Sequence, residues 1–230
     1  MNSGTSHISI AIDGPSGAGK STMADRLGRE FGFLHVDTGA MYRAVGLAVK
    51  RRGIDMRDRA AVEALCGELD IRAELSENGQ RTMLNGEDVS KAIRENSVSA
   101  FASAVAAYPG VRAFLLELQR ATARTQNVIM DGRDIGTVVL PDAGIKIYLT
   151  ASARSRAKRR FDELRERGEA VDEEEILREI EERDLADSTR EIAPLTRHPD
   201  AVLADTSWLS FEEGYALLRK IVAEELERVR

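Results

Sequence analysis

Gly14-Pro15-Ser16-Gly17-Ala18-Gly19-Lys20-Ser21-Thr22 is the stretch on which the reading of this chain turns. Its spacing is G-x-x-x-x-G-K-[ST], the pattern of a loop that cradles phosphate. The flanks matter as much as the letters. Ile8-Ser9-Ile10-Ala11-Ile12 precedes it, apolar and β-branched enough for a buried parallel strand. In the segment that follows, Met23, Leu27 and Phe31 stand four apart and line one face of a helix. Strand, glycine turn, helix is the geometry a phosphate cradle needs. Glycine admits positive φ and close approach of the backbone. The turn's N–H groups and the helix N-terminus then face an anion. Lys20 brings a mobile positive charge for the outer phosphates, and Ser21 a hydroxyl for Mg²⁺. The competing reading is a glycine turn that only joins strand to helix. The spacing together with both flanks argues against it.

Four more apolar strands follow: 33–36, 127–130, 145–149 and 201–203. Along the chain the strands alternate with helical segments, and the helix after 33–36 is followed by a piece of different texture. This alternation predicts an α/β fold: a five-stranded parallel sheet with helices on both faces. The different piece contains short strands at 70–75 and 80–84, an Asn78-Gly79 hairpin turn, and helices over 60–69 and 91–107. It reads as a small α+β insert at 62–106 within a core of 1–61 and 107–230. Pro109 suits the first position of a helix running to about Arg124. The last helix spans 211–227 and turns Tyr215, Leu218, Ile221 and Val222 inward. Trp208 reads as a packing residue in the connection before it.

Ligands of such sheets lie beyond the carboxyl ends of the strands. Lys20, Asp37, Asp131, Arg133, Asp134 and Asp205 all stand there. The helix at 40–50, capped by Thr38 or Asp37, holds Tyr42 and Arg43 in its first turn. A cation there opposes the helix dipole, as does Arg112 in the first turn after Pro109. An acceptor phosphate would explain Arg43; a surface pair with Asp37 would explain it equally well. The helix from about Ser152 carries Arg154, Arg156, Lys158, Arg159 and Arg160. Arg156 and Arg160 are four apart and repel. They read as a helical lid over phosphates, about 152–170, with Gly168 at its turn. The alternative is a solvated face relieved by Asp162 and Glu163. The next helix begins near Asp172 with an apolar stripe, Ile176 and Ile180, that continues into Arg183, Asp187 and Arg190. Buried unpaired charge is expensive. That end therefore faces a cleft, where arginine's fork suits phosphate, or else forms an ion-pair network.

The chain has 230 residues and a net charge of −6, with 43% hydrophobic and 31% charged residues. The balance argues for a globular domain and against a general nucleic-acid-binding field. Cys66 is the single cysteine, so no internal disulfide forms, and no Cys/His metal cluster is spaced for zinc. The polar start lacks a signal-peptide core, and no stretch is long and apolar enough for a membrane span. A cytoplasmic setting and a monomer are the expectations.

The runs Asp37-Thr38-Gly39-Ala40-Met41-Tyr42-Arg43, Asp131-Gly132-Arg133-Asp134-Ile135-Gly136-Thr137-Val138-Val139 and Arg183-Asp184 with Asp187 and Arg190, added to the phosphate loop, resemble bacterial cytidylate kinases over nearly the whole chain. The loop alone is shared by many nucleotide-binding enzymes; the other runs are more specific. The resemblance implies a nucleoside monophosphate kinase with core, monophosphate-binding insert and lid, moving phosphate from ATP, with Mg²⁺, to CMP or dCMP. It implies that Gly14 to Thr22 hold ATP and that Lys20, Arg133, Arg156 and Arg160 serve the transfer. Arg43, Arg133 and Arg183 would hold the acceptor phosphate. Thr38, Arg112, Asp134 and Arg190 would read cytosine, and Tyr42 would be a further substrate-binding residue. Ser103, Arg183 and Asp187 would contact the sugar. Position 38 is often Ser in the family; Thr keeps the hydroxyl and adds a methyl. The rival readings are a kinase for UMP, AMP or a small metabolite, and a nucleotide-dependent binding switch with no phosphoryl acceptor.

Overall fold

A computed structural model describes residues 7–76 and 79–229. Strands β1 (Ser9–Asp13), β2 (Leu34–Asp37), β6 (Val128–Gly132), β7 (Ile145–Thr150) and β8 (Val202–Asp205) form one sheet in the order β2-β6-β1-β7-β8. β1 pairs parallel with β7, Ile10 opposite Ile145, and β7 pairs parallel with β8, Ile147 opposite Val202. Strands β3 (Ile71–Ser76), β4 (Gly79–Leu84) and β5 (Glu87–Asp88) make a second, antiparallel sheet. The α/β class with a five-stranded parallel sheet is as the alternation predicts. The run Ile10-Ala11-Ile12 and the run Val128-Ile129-Met130 are both fully buried, as strands covered on two faces require.

The chain divides into two compact units. The first takes in Ile8 and Gly28–Met130. Its helix α2 (Thr38–Arg51) is capped by Asp37, whose side chain accepts the N–H of Ala40 at 2.9 Å. α3 (Arg59–Leu65) is capped by Asp58 and continues as a 3-10 turn to Glu68. α5 (Pro109–Thr125) has its proline at the first position, where no N–H is needed. The carboxylate of Glu63 accepts the Gly110 N–H at 2.9 Å, fixing the start of α5 against α3. α4 (Asn96–Val105) packs along α2 at Gly46, where a Cβ would fall 2.8 Å from the Ala102 nitrogen. Sequence periodicity placed one helix over 91–107. Instead a 3-10 turn at Ala92–Arg94 is broken by extended backbone at Glu95 before α4 begins. The Asn78 of the expected hairpin turn lies outside the described residues; the strands on either side of it do pair, Ser76 opposite Gly79.

The second unit takes in Ser9–Leu27 and the chain from Asp131 onward. α1 (Lys20–Phe31) begins within it, directly after the glycine loop. α6 (Ala153–Glu166) is capped by Ser152, which accepts the Ser155 N–H at 3.1 Å. α7 (Glu173–Thr189) is capped by Asp172 and has Glu173, Glu174 and Glu175 in its first turn, favourably placed for the helix dipole. Ala157, Leu164 and Ile176, with Phe161, Val171, Leu177 and Ile180 around them, give α6 and α7 a small core of their own. α8 (Phe211–Val229) buries Tyr215, Leu218 and Val222. Trp208 does not pack: it is 92% exposed. The rule that large aromatics go inside is a tendency of composition, and the turn before α8 projects this ring outward.

Among the described residues no single helix is long and apolar enough to cross a membrane; α4 and α5 together pass by length and composition but are bent by 99° at their junction.

Candidate functional site

The site is built from the second unit's strand ends. After Asp13 the chain turns at Gly14, with φ +151°, where any Cβ would lie 1.9 Å from the Leu149 carbonyl oxygen. Only glycine fits there. Lys20 opens α1 and is 6% exposed. Its Nζ donates to the carbonyls of Gly14 and Pro15, 2.8 Å each, so the ammonium is held over the loop. Ala18 is buried, while Ser16 and Gly17 lie at the surface turn and Thr22 is exposed on α1. Ser21 Oγ donates to Asp131 Oδ2 at 2.7 Å, and Asp131 is itself buried at the end of β6. A hydroxyl and a carboxylate side by side are hard oxygen donors. They suit Mg²⁺, which takes one or two protein carboxylates and fills its shell with water and phosphate. Among the described residues no group of three or more His, Cys, Asp or Glu forms a self-sufficient metal cage.

Asp13 joins the loop to the following strand end. Its two carboxylate oxygens accept the N–H groups of Ile135 and Gly136 at 2.7 Å each. Those residues begin a π-helical turn, Ile135–Val139. Burial raises the Asp13 carboxyl to about 6, against the lowering effect of the Gly136 and Ile135 hydrogen bonds and of Lys20. Just before the turn, Arg133 donates from Nε to Asp187 Oδ2 at 2.7 Å, and Asp134 Oδ1 stands 3.4 Å from Arg190 Nη2. Arg190 also donates to the Ala193 carbonyl. The charged continuation of the α7 stripe is thus drawn into ion pairs with the end of β6. Arg183 sits on the same helix and is exposed.

The lid arginines differ in kind. Arg160 is exposed and paired with Glu163 at 2.9 Å. Arg156 is 3% exposed. Its guanidinium donates to the carbonyl of Ser16 in the glycine loop at 2.9 Å, to the carbonyl of Ala151 at 2.8 Å, and to both oxygens of Asp184. Of the alternative reading, a solvated face relieved by Asp162 and Glu163, the Arg160–Glu163 pair is present, whereas Asp162 pairs with Lys158 and Arg156 turns to Asp184. Arg159 donates to the Thr206 and Leu209 carbonyls, and burial, with Arg156 nearby, lowers its pKa.

The first unit holds the remaining predicted residues. Thr38 is the first residue of α2 and is buried. Tyr42 lies one turn further along, with the guanidinium carbon of Arg112 5.9 Å from its ring centre, a cation–π arrangement. Arg43 Nη1 donates to Ser99 Oγ at 3.0 Å and to the Ile93 carbonyl at 3.4 Å. Burial lowers its pKa and Asp37 opposes that. Ser103 is exposed on α4. A cavity of about 720 Å³ in this unit is lined by Gly32, Phe33, Leu34, Ala73, Glu74 and Asn127, among others, and by none of the predicted site residues.

The family model described as Cytidylate kinase matches residues 10–224. The chain belongs to the cytidylate kinase family. A cytidylate kinase of Caldicellulosiruptor saccharolyticus is 48% identical over 215 residues, 94% of each chain. One of Pelotomaculum thermopropionicum is 49% identical over 93% of this chain and 94% of its own. Among solved structures, an uncharacterized protein from Eubacterium ventriosum aligns over 95% of this chain and 99% of its own with a TM-score of 0.52. At 14% identity that likeness concerns the fold alone. As a member of the cytidylate kinase family the chain is a kinase, a nucleotide-binding transferase.

Two carboxylates of this cytidylate kinase family member escaped the sequence reading as site residues. Asp13 stands 122 positions from Ile135, and Asp184 stands 28 from Arg156. Neither separation leaves a local signature. Asp184 did lie inside a quoted run, adjacent to Arg183, and Asp13 directly abuts the glycine loop.

Proposed function

We propose that the chain transfers the terminal phosphate of ATP to CMP or dCMP, giving ADP and CDP or dCDP. The observation that carries the reading is the pairing of Arg133 with Asp187 and of Asp134 with Arg190, in the same unit as a Lys20- and Ser21-bearing phosphate loop. A donor loop alone would serve a switch. The additional arginine–carboxylate pairs give a kinase something with which to hold a second, anionic ligand.

In this proposal Gly14 to Thr22 wrap the triphosphate through backbone N–H groups. Lys20 neutralises its outer oxygens. Ser21 and Asp131 would hold Mg²⁺, which would supply positive charge to the triphosphate. Arg43, Arg133 and Arg183 take the acceptor phosphate; Thr38, Arg112, Asp134 and Arg190 the cytosine; Ser103, Arg183 and Asp187 the sugar; and Tyr42 is a further substrate-binding residue. The acceptor is already an anion near neutral pH, so no general base is needed. Transfer then depends on alignment and on charge neutralisation. Arg156 and Arg160 belong to the lid segment 152–170, whose role is to exclude water that would otherwise hydrolyse ATP. The segment 62–106 would be the monophosphate-binding insert. The protein acts as a cytoplasmic monomer in this reading.

A panel of acceptors in an ADP-release assay tests it. CMP and dCMP are expected to accelerate ADP release far above the rate with ATP alone. Preference for UMP or AMP would move the assignment to another monophosphate. Hydrolysis indifferent to every monophosphate would favour the binding switch.

A further inference from the structure

A guanidinium carries five N–H donors. In Arg156 four of them are committed within the protein. Nε donates to the Ala151 carbonyl at 2.8 Å, one Nη1 hydrogen to Ser16 O at 2.9 Å, the other to Asp184 Oδ1 at 3.0 Å, and one Nη2 hydrogen to Asp184 Oδ2. One Nη2 hydrogen is left over. The Arg156 side chain is 4% exposed and that of Asp184 27%. A charge so far from water needs a counter-charge, and the fork-on-fork pair with Asp184 is the strong, orienting form of one. The contact with the loop is close elsewhere too: a Cβ on Gly17 would stand 3.5 Å from Arg156 Cβ.

We propose that Asp184 is a positioning residue: it fixes the Arg156 guanidinium on the phosphate loop so that its remaining N–H serves the donor nucleotide. This rests on the kinase reading above. Arg156 is then a fixed donor built into the loop's wall and does not swing in from solvent. α7 also becomes the common mount of both ligands' arginines. Asp184 orients Arg156, and one turn later Asp187 orients Arg133 while Arg190 meets Asp134. The competing view is that Asp184 only neutralises a buried charge and adds stability.

Steady-state kinetics of Asp184→Ala, Arg156→Ala and the double variant separate the two. Calorimetric binding of a non-hydrolysable ATP analogue with Mg²⁺, and of CMP alone, accompanies the kinetics. Asp184→Asn, which keeps the volume and one acceptor oxygen, stands in if the alanine variant does not fold. The expected result is a loss of about tenfold or more in kcat and in analogue affinity, CMP affinity within about twofold, and a double variant no slower than Arg156→Ala alone. Asp184→Glu should recover part of the loss. Wild-type kcat in Asp184→Ala, equal losses for analogue and CMP, or additive losses in the double variant would overturn the proposal. If the wild type forms no CMP-dependent ADP, the kinase reading fails. The analogue affinities of the variants then still decide the role of Asp184.

Discussion

Two carbonyls, of Gly14 and Pro15, accept the ammonium of Lys20 at 2.8 Å each. Those contacts hold the charge in the loop without neutralising it, so Lys20→Ala should leave the fold in place and lower transfer at least ~10²-fold, as losing a donor aimed at developing charge does. Unchanged circular dichroism beside near-normal turnover would remove Lys20 from the mechanism. Arg183 is exposed on α7. Arg183→Ala is expected to raise the KM for CMP about tenfold or more while the KM for ATP moves little. Equal changes in both would make it part of the ion network only. These positions were legible in the sequence because each belongs to a local run. Arg156 was legible as a lid residue; Asp184 was not, and neither was their pairing. A bidentate contact between two helices is a fact about packing, and no spacing along one helix encodes it.

Among the elements, the α2–α4 pair offers the sharpest test. A methyl on Gly46 would meet backbone, the Ala102 nitrogen at 2.8 Å and its Cα at 3.1 Å. Backbone cannot rotate aside, so Gly46→Ala should cost about 1–3 kcal/mol by overpacking, against the modest gain in helix propensity that alanine brings. Urea denaturation midpoints of the two proteins measure it. A more stable variant would show that α4 shifts freely along α2. The strands with two buried faces were easy to read, since Val128, Ile129 and Met130 leave no alternation to confuse. The helix expected over 91–107 was harder. Its residues are good helix formers, and the break at Glu95 is a backbone event, φ −61° and ψ 138°, with no glycine or proline to announce it. β8 runs past Leu203 through buried Ala204 to Asp205, because its pairing with β7, Thr150 opposite Asp205, continues one residue beyond the apolar letters.

For the molecule as a whole, Asp13 sets a dependence on pH. Its carboxyl titrates at about 6 in the folded chain against an ordinary 3.8, chiefly through burial. Between those values the folded state binds more protons than the unfolded one, so stability falls as pH rises from about 4 to 6. Two units correspond to at most about 3 kcal/mol. Urea midpoints across this window should decline in the wild type and decline less in Asp13→Asn; parallel curves would place the Asp13 carboxyl at its ordinary value. The sheet and the donor loop were largely readable from sequence at this scale because strand, turn and helix follow one another along the chain. The insert was read from its short strands and the Asn78-Gly79 turn, and the lid from its clustered arginines; the roles of the acceptor residues came from resemblance, since they are gathered from distant segments. Trp208 went the other way, assigned to packing and found 92% exposed. It is also the chain's single tryptophan. Its indole is already in water before denaturant is added, so its emission should barely move when the protein unfolds. A melting curve followed by tryptophan fluorescence would look flat for a chain that has lost its structure, and stability here has to be followed by a backbone signal.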